Sequence, residues 1–291
     1  MTNYNFLGAR NILRNARIKY IPDEFGNPKP YELIVFSKAT FLPAGWELSE
    51  KRSRSALCVD DDEIELLQPD DVSNSSVDNA ALNRLKSFNR AKNMLFDYLV
   101  SNTVFDAFIT LTVAPSDDVD RYNYDDVIKK LGMWLDNRVR RNGLIYVIVP
   151  EYHKDKAIHF HGLCNFSALK TERAISPRTG RKMKDNKGRS IYNISDYALG
   201  YSTAIKISGP NAREATAKYC FKYITKTNGQ KVGGRYYLSG GDLQGPKYKL
   251  FDMPVDRVPS ESISVANGLF ECRKIKLNGV IPEWLSEYVD D

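Results

Sequence analysis

The sequence predicts an α+β fold, an antiparallel β-sheet with helices packed on it, beside a small β-rich N-terminal region. Three observations carry this. Apolar residues recur at spacings of three and four over 80–100 and 124–141. Short β-rich runs lie between and after those stretches. From residue 79 onward the order reads α-β-α-β-β-β-α-β, which suits helices layered on an antiparallel sheet.

The elements follow in order. IKYI and YELIVF, with FGNPKP between them, read as a β-hairpin within residues 17–42. LPAGWEL and CVDDDEIELL read as short strands or irregular structure. PDDVSNSSVDN (69–79) is polar and turn-rich, a linker by composition. These boundaries divide the chain into 1–78, a β-rich region of unassigned role, 79–250, the main domain, and 251–291, a C-terminal extension.

Within the main domain, Leu82, Leu85, Phe88, Ala91, Leu95 and Leu99 form the apolar stripe of a first helix. Phe105–Val113 reads as a strand. Val127, Leu131, Trp134, Leu135 and Val139 mark a second helix. Leu144–Tyr152 and Ile158–Cys164 are strands around the turn HKDK. Tyr201–Ser208 alternates like a strand, and Asn211–Lys226 is a helix begun after Gly209-Pro210. Gly233–Ser239 is a short strand or loop.

Composition bounds the chemistry. The chain has 291 residues, 42% hydrophobic and 27% charged, as expected of a soluble globular protein. No run is long and apolar enough to cross a membrane, and the start shows no apolar signal region. Cys58, Cys164, Cys220 and Cys272 form no CxxC pair, so they read as reduced cytosolic thiols rather than a zinc site. The expected location is the cytoplasm, with no membrane partner. The net charge of +6 is uneven: 15 Lys and Arg stand against four acids between Asn165 and Arg235. That excess suits a polyanion. For Arg178–Arg189 alone, a solvated loop is an equal reading. No GxxxxGK[ST] occurs, so the chain carries no P-loop helicase.

Two strings carry the candidate chemistry. In HFHG (159–162), His159 and His161 are two apart, so on a strand both imidazoles share a face. Glu151 lies eight residues before His159, and an odd loop about Asp155 returns it to that same face. Two imidazoles and a carboxylate suit Mg²⁺ or Mn²⁺ and leave positions open for phosphate oxygens and water. His153 has the parity of Glu151 and competes for the third place. In YCFKYITK (219–226), Tyr219 and Tyr223, and likewise Lys222 and Lys226, are four apart and share a helix face. A phenol needs help to attack phosphorus at neutral pH, and a nearby lysine favours the phenolate. A tyrosine stripe at this spacing also packs helices onto sheets, but Lys218, Lys222 and Lys226 on the same helix argue against a core face. Tyr223, which begins KYITK, is placed ahead of Tyr219. Thr110 and Thr112 alternate along FITLT in a structural role. Arg235, Tyr236, Lys206 and Lys218 are candidates for holding DNA.

FITLT (108–112), HFHG and YCFKYITK together resemble the HUH endonucleases, in the motif order of that superfamily. The double tyrosine, YxxKYxxK, is similar to that of rolling-circle replication initiators of phage and plasmid type. The resemblance runs from about Asn79 to Tyr248. It implies an RRM-like catalytic core and a nick in single-stranded origin DNA. It further implies a 5′-phosphotyrosine intermediate, strand rejoining, and a host helicase and polymerase as partners in a bacterial cytoplasm. It also points to Glu151 as the acid beside the histidines. The alternatives are a non-catalytic protein that binds an origin or single strands, and a single-tyrosine transposase of the same superfamily. A phosphoesterase that uses water would leave both tyrosines dispensable.

Overall fold

The structure, a computed structural model, describes residues 14–38, 79–153, 155–208, 212–226, 231–267 and 270–289. LPAGWEL, CVDDDEIELL and nearly all of the expected linker lie outside the described residues. In chain order the elements begin with strands β1 (Ala16–Pro22) and β2 (Pro28–Phe36). Helix α1 (Asn79–Ser101), β3 (Ala107–Thr112), α2 (Tyr124–Asn142), β4 (Tyr146–Tyr152) and β5 (Ile158–Cys164) follow. Then come β6 (Thr171–Arg173), β7 (Ile191–Ile194), β8 (Ser202–Lys206), α3 (Ala212–Lys226) and β9 (Leu238–Gly240). The chain closes with β10 (Lys247–Phe251), β11 (Ile263–Asn267), β12 (Phe270–Lys276) and α4 (Glu283–Val289). The fold is α+β with two antiparallel sheets, as the sequence predicts.

The chain divides into two compact units, Met1–Ser76 with Pro246–Asp291, and Val77–Gly245. In the first, five strands run in the order β10-β1-β2-β12-β11. The hairpin β1–β2 is where IKYI and YELIVF place it. The stretch expected as a C-terminal extension supplies β11, β12 and α4 to this same unit. Ala16, Ile18, Leu33, Val35 and Phe251 are buried on one sheet face with Leu285 and Val289 of α4. Glu32 is buried on the opposite face, where Lys274 holds it at 3.0 Å and Lys19 at 3.8 Å. Paired cations satisfy the carboxylate that burial would otherwise penalise.

The second unit holds the motifs. Its seven strands run β6-β7-β8-β3-β5-β4-β9. Alternation decides which face each residue takes. In β3, Ala107, Ile109 and Leu111 are fully buried, while Phe108, Thr110 and Thr112 are half-buried. In β5, Ile158 and Phe160 join that core, which sends His159 and His161 to the other face. Helix α2 covers the core face with Val127, Leu131 and Leu135. It starts at Asn123, whose side chain caps the backbone N–H of Asp125 at 3.0 Å. Gly162 ends the HFHG string for a steric reason: any Cβ there would run into the carbonyl oxygen of Val147 on the neighbouring β4. The strands β6 and β7 are additions that the sequence pattern does not reveal.

Candidate active site

Two strands and one helix build the site. Across β3–β5, Thr110 stands opposite His161 and Thr112 opposite His159. Across β4–β5, Glu151 stands opposite His159, on the face the spacing predicts. Each threonine hydroxyl meets a ring nitrogen: Thr110 Oγ1 is 3.0 Å from His161 Nδ1, and Thr112 Oγ1 is 3.1 Å from His159 Nδ1. With Nδ1 protonated and donating to the hydroxyl, each Nε2 keeps its lone pair for a cation. The threonines thus position both imidazoles, a role that alternation alone does not disclose.

The carboxylates are arranged in two groups. Glu151 Oε2 is 3.3 Å from His161 Nε2. The other group is His153, Asp155 and His159, whose ligand atoms all lie within 4.8 Å of one another. His153 and His159 stack with ring centroids 4.6 Å apart. Asp155 also accepts from Arg121 Nη2 at 3.0 Å and from the Ala157 backbone N–H at 3.1 Å. That backbone bond leads the causes that keep its carboxyl below the usual range, with His153 and Arg121 adding to it. Burial pushes the pKa of His159 down, and like charge on His153 adds to the shift. The sequence raised His153 as a rival ligand and read Asp155 only as turn chemistry. The donor set, imidazoles with carboxylates, fits a divalent cation.

Helix α3 sits over this face. Ala217, Cys220 and Tyr223 are its buried side; Lys218, Tyr219 and Lys222 are exposed. The Tyr223 ring stacks on His161 with centroids 4.3 Å apart and planes at 13°. Its hydroxyl donates to the Tyr219 hydroxyl at 2.7 Å. Tyr219 leans edge-on against Phe108 of β3 at 5.5 Å. The two tyrosines differ sharply in access: Tyr219 is 49% exposed, Tyr223 only 7%.

Lysine help for Tyr223 is where the structure departs from the sequence reading. Burial is the largest cause that raises the Tyr223 pKa well above its ordinary value, and the bond to Tyr219 and the charge of Glu151 raise it further. Lys222 points to solvent, and the side chain of Lys226 lies outside the described residues. Among the candidates for holding DNA, Arg235 and Lys218 are exposed. Lys206 is exposed too, over the Phe166 ring at 4.4 Å. Tyr236 is buried, between Phe88 at 5.4 Å and the Lys231 ammonium at 5.2 Å, so its ring is not presented for stacking.

A family model answers to this geometry. Residues 106–228 match the model of the replication-associated protein ORF2 family. The matched segment runs from the start of β3 to just beyond α3, so it contains the threonines, the histidines, Glu151, Asp155 and both tyrosines. It covers less than half of the chain. Comparisons with curated proteins and with solved structures give no significant match. No described helix is long and apolar enough to cross a membrane.

Proposed function

We propose that the chain initiates rolling-circle replication by nicking single-stranded origin DNA through a tyrosine. One observation carries the reading. Two phenols, joined by a 2.7 Å hydrogen bond, are held against a histidine of the His159/His161 strand. A phosphoesterase that activates water needs no such pair.

Tyr219 is the first nucleophile in this proposal. Its hydroxyl is accessible, and it is the acceptor of the Tyr223 hydrogen bond. A negative charge growing on the Tyr219 oxygen keeps that bond; a charge on Tyr223 would lose it and would be buried. The Tyr219 oxygen attacks phosphorus, the bond to the 3′-oxygen breaks, and the leaving oxygen takes up a proton. A phosphodiester is exchanged for a phosphotyrosine ester, so the freed 3′-hydroxyl can reverse the step. Tyr223, released from donating, serves a second transfer. This order inverts the sequence-based placing of Tyr223 first.

His159 and His161, with Glu151 and with His153 and Asp155 at the turn, would hold a divalent cation such as Mg²⁺ or Mn²⁺. When bound, such an ion polarises phosphate oxygens and neutralises charge developing on them. Thr110 and Thr112 orient the imidazoles for it. Lys206, Lys218 and Arg235 would meet the phosphates of the strand. A host helicase and polymerase would complete replication.

The test uses a 3′-labelled single-stranded library of random sequence with Mn²⁺. A 5′-phosphotyrosine link transfers the 3′ label to protein on a denaturing gel. Labelled protein in the wild type, absent from a Tyr219→Phe/Tyr223→Phe double variant, is the expected result. Cleavage without labelled protein would point to water as the nucleophile.

A further inference from the structure

Residues 174–191 connect β6 to β7 and contain six cations and a single acid. They are ordered by two tight turns. Ser176 accepts from the Gly180 N–H at 2.8 Å and donates its own N–H to Arg181 at 2.9 Å. Asp185 Oδ1 accepts from the N–H groups of Lys187 and Arg189 at 3.0 and 2.8 Å. Gly180 and Gly188 adopt φ of 67° and 77°, which these turns need and larger side chains resist. Met183 ties the two turns together, with backbone bonds to Ala174 at 2.8 Å and to Ile191 at 3.3 Å. The stretch is a double hairpin, not the loop that its composition equally suggests.

Its charge is unbalanced. Asp185 is taken by Arg189, whose Nη2 lies 2.7 Å away. Arg178, Arg181, Lys182, Lys184 and Lys187 are all exposed, and none has an ion pair among the described residues. A fixed surface with five uncompensated cations fits a polyanion. Which polyanion follows from what is lacking. Single-strand binding relies on aromatic rings that stack bases. Residues 174–191 contain no aromatic residue. The exposed ring beside them, Tyr201, touches them through its hydroxyl, 4.0 Å from the Met183 sulfur. Paired bases need no stacking partner, and the major groove admits a two-stranded ribbon.

We propose that this double hairpin grips the phosphate backbone of a double-stranded DNA stem. The edge strand β6 is four strand spacings from β5 in the sheet order, roughly 19 Å laterally. That is a rise of about six base pairs. The role of the stem, to fix where the single strand enters the site, rests on the nicking proposal; duplex binding itself does not.

The test measures binding of the full chain to a short DNA hairpin duplex and to oligo(dT), each across a salt series. The variant is Arg178→Gln/Arg181→Gln/Lys182→Gln/Lys184→Gln/Lys187→Gln, with Lys182→Gln/Lys184→Gln as a milder second. Duplex affinity should fall at least about tenfold, and the salt slope should become shallower by about 4 in the five-site variant. Oligo(dT) affinity should hold within about twofold. Equal losses on both probes would overturn the assignment to duplex. No loss on either would overturn DNA as the partner and leave an acidic protein surface. Covalent adduct on the single-stranded library is followed in parallel. If the wild type forms none while duplex binding still depends on the hairpin, the nicking proposal fails and this surface stands.

Discussion

The hydroxyl of buried Tyr223 donates to that of exposed Tyr219 across 2.7 Å. The pair is therefore asymmetric before any DNA arrives. Tyr219→Phe should abolish the first covalent adduct. Tyr223→Phe removes one neutral hydrogen bond, worth about 1 kcal/mol, so first nicking should slow only about fivefold while strand joining is lost. Adduct formation by each single variant, followed by a joining assay, decides. Full adduct from Tyr219→Phe and none from Tyr223→Phe would restore the opposite order.

Thr110→Val and Thr112→Val keep the shape of β3 but remove the bonds to the histidine Nδ1 atoms. Groups that orient metal-bound imidazoles typically contribute about 10- to 100-fold in affinity. Mn²⁺ binding, followed by calorimetry, should weaken by that order in each variant. Unchanged affinity would reduce the threonines to ordinary sheet residues.

The two carboxylate groups make a discriminating pair. Asp155→Asn should weaken Mn²⁺ binding if the cation sits with His153 and His159; Glu151→Gln should do so if it sits with His161. A single cation shared through His159 requires both to weaken it. If neither variant changes the titration, the imidazoles bind no cation of this kind.

Protons compete for the same imidazoles. The His159 pKa is lowered, chiefly by burial, so its neutral, ligating form persists below the ordinary histidine value of about 6.5. Mn²⁺ binding should therefore hold as pH falls to about 6.5 and decline only beneath it. The same sign governs the metal-free protein. The contribution of His159 to stability is present above the ordinary value and is lost as pH drops through the lowered one. A Mn²⁺ titration from neutral to mildly acid pH checks it; loss of binding well above neutral would contradict the downward shift.

Gly162→Ala would push a methyl group into the β4 backbone at the centre of the sheet. Overpacking of this kind costs about 1–3 kcal/mol, and more where the obstacle is main chain. Thermal unfolding should show a loss at the upper end of that range. A near-neutral change would mean that β4 and β5 separate easily.

Much of the second unit was legible because its periodicities are strict. IHFHGLC places two histidines on one strand face whatever the neighbours are, and the spacing from Glu151 to His159 fixes their register across the hairpin. The helix of Tyr219 and Tyr223 was legible too, but not which phenol is buried, since that depends on how α3 rests on β5. Asp155 was hidden because Asp in HKDK is ordinary turn chemistry. The strands β6 and β7 were hidden by length: three and four residues show no alternation. The membership of β12 in the N-terminal sheet was hidden by distance, since nothing local in FECRKIK names YELIVF as its partner.

That last pairing governs the order in which the chain can fold during synthesis. Strand β1 lies between β2 and β10, and β2 lies between β1 and β12. The ribosome makes β2 more than 200 residues before either late strand. At about 5–20 residues per second, the N-terminal hairpin waits roughly 10–40 s for its partners. A lone hairpin is marginal in water. Val77–Gly245 has all its strands by then. The nascent chain should therefore acquire its histidine strand and tyrosine helix first. The oldest residues are then among the last to settle, with an apolar strand, YELIVF, exposed to chaperones meanwhile.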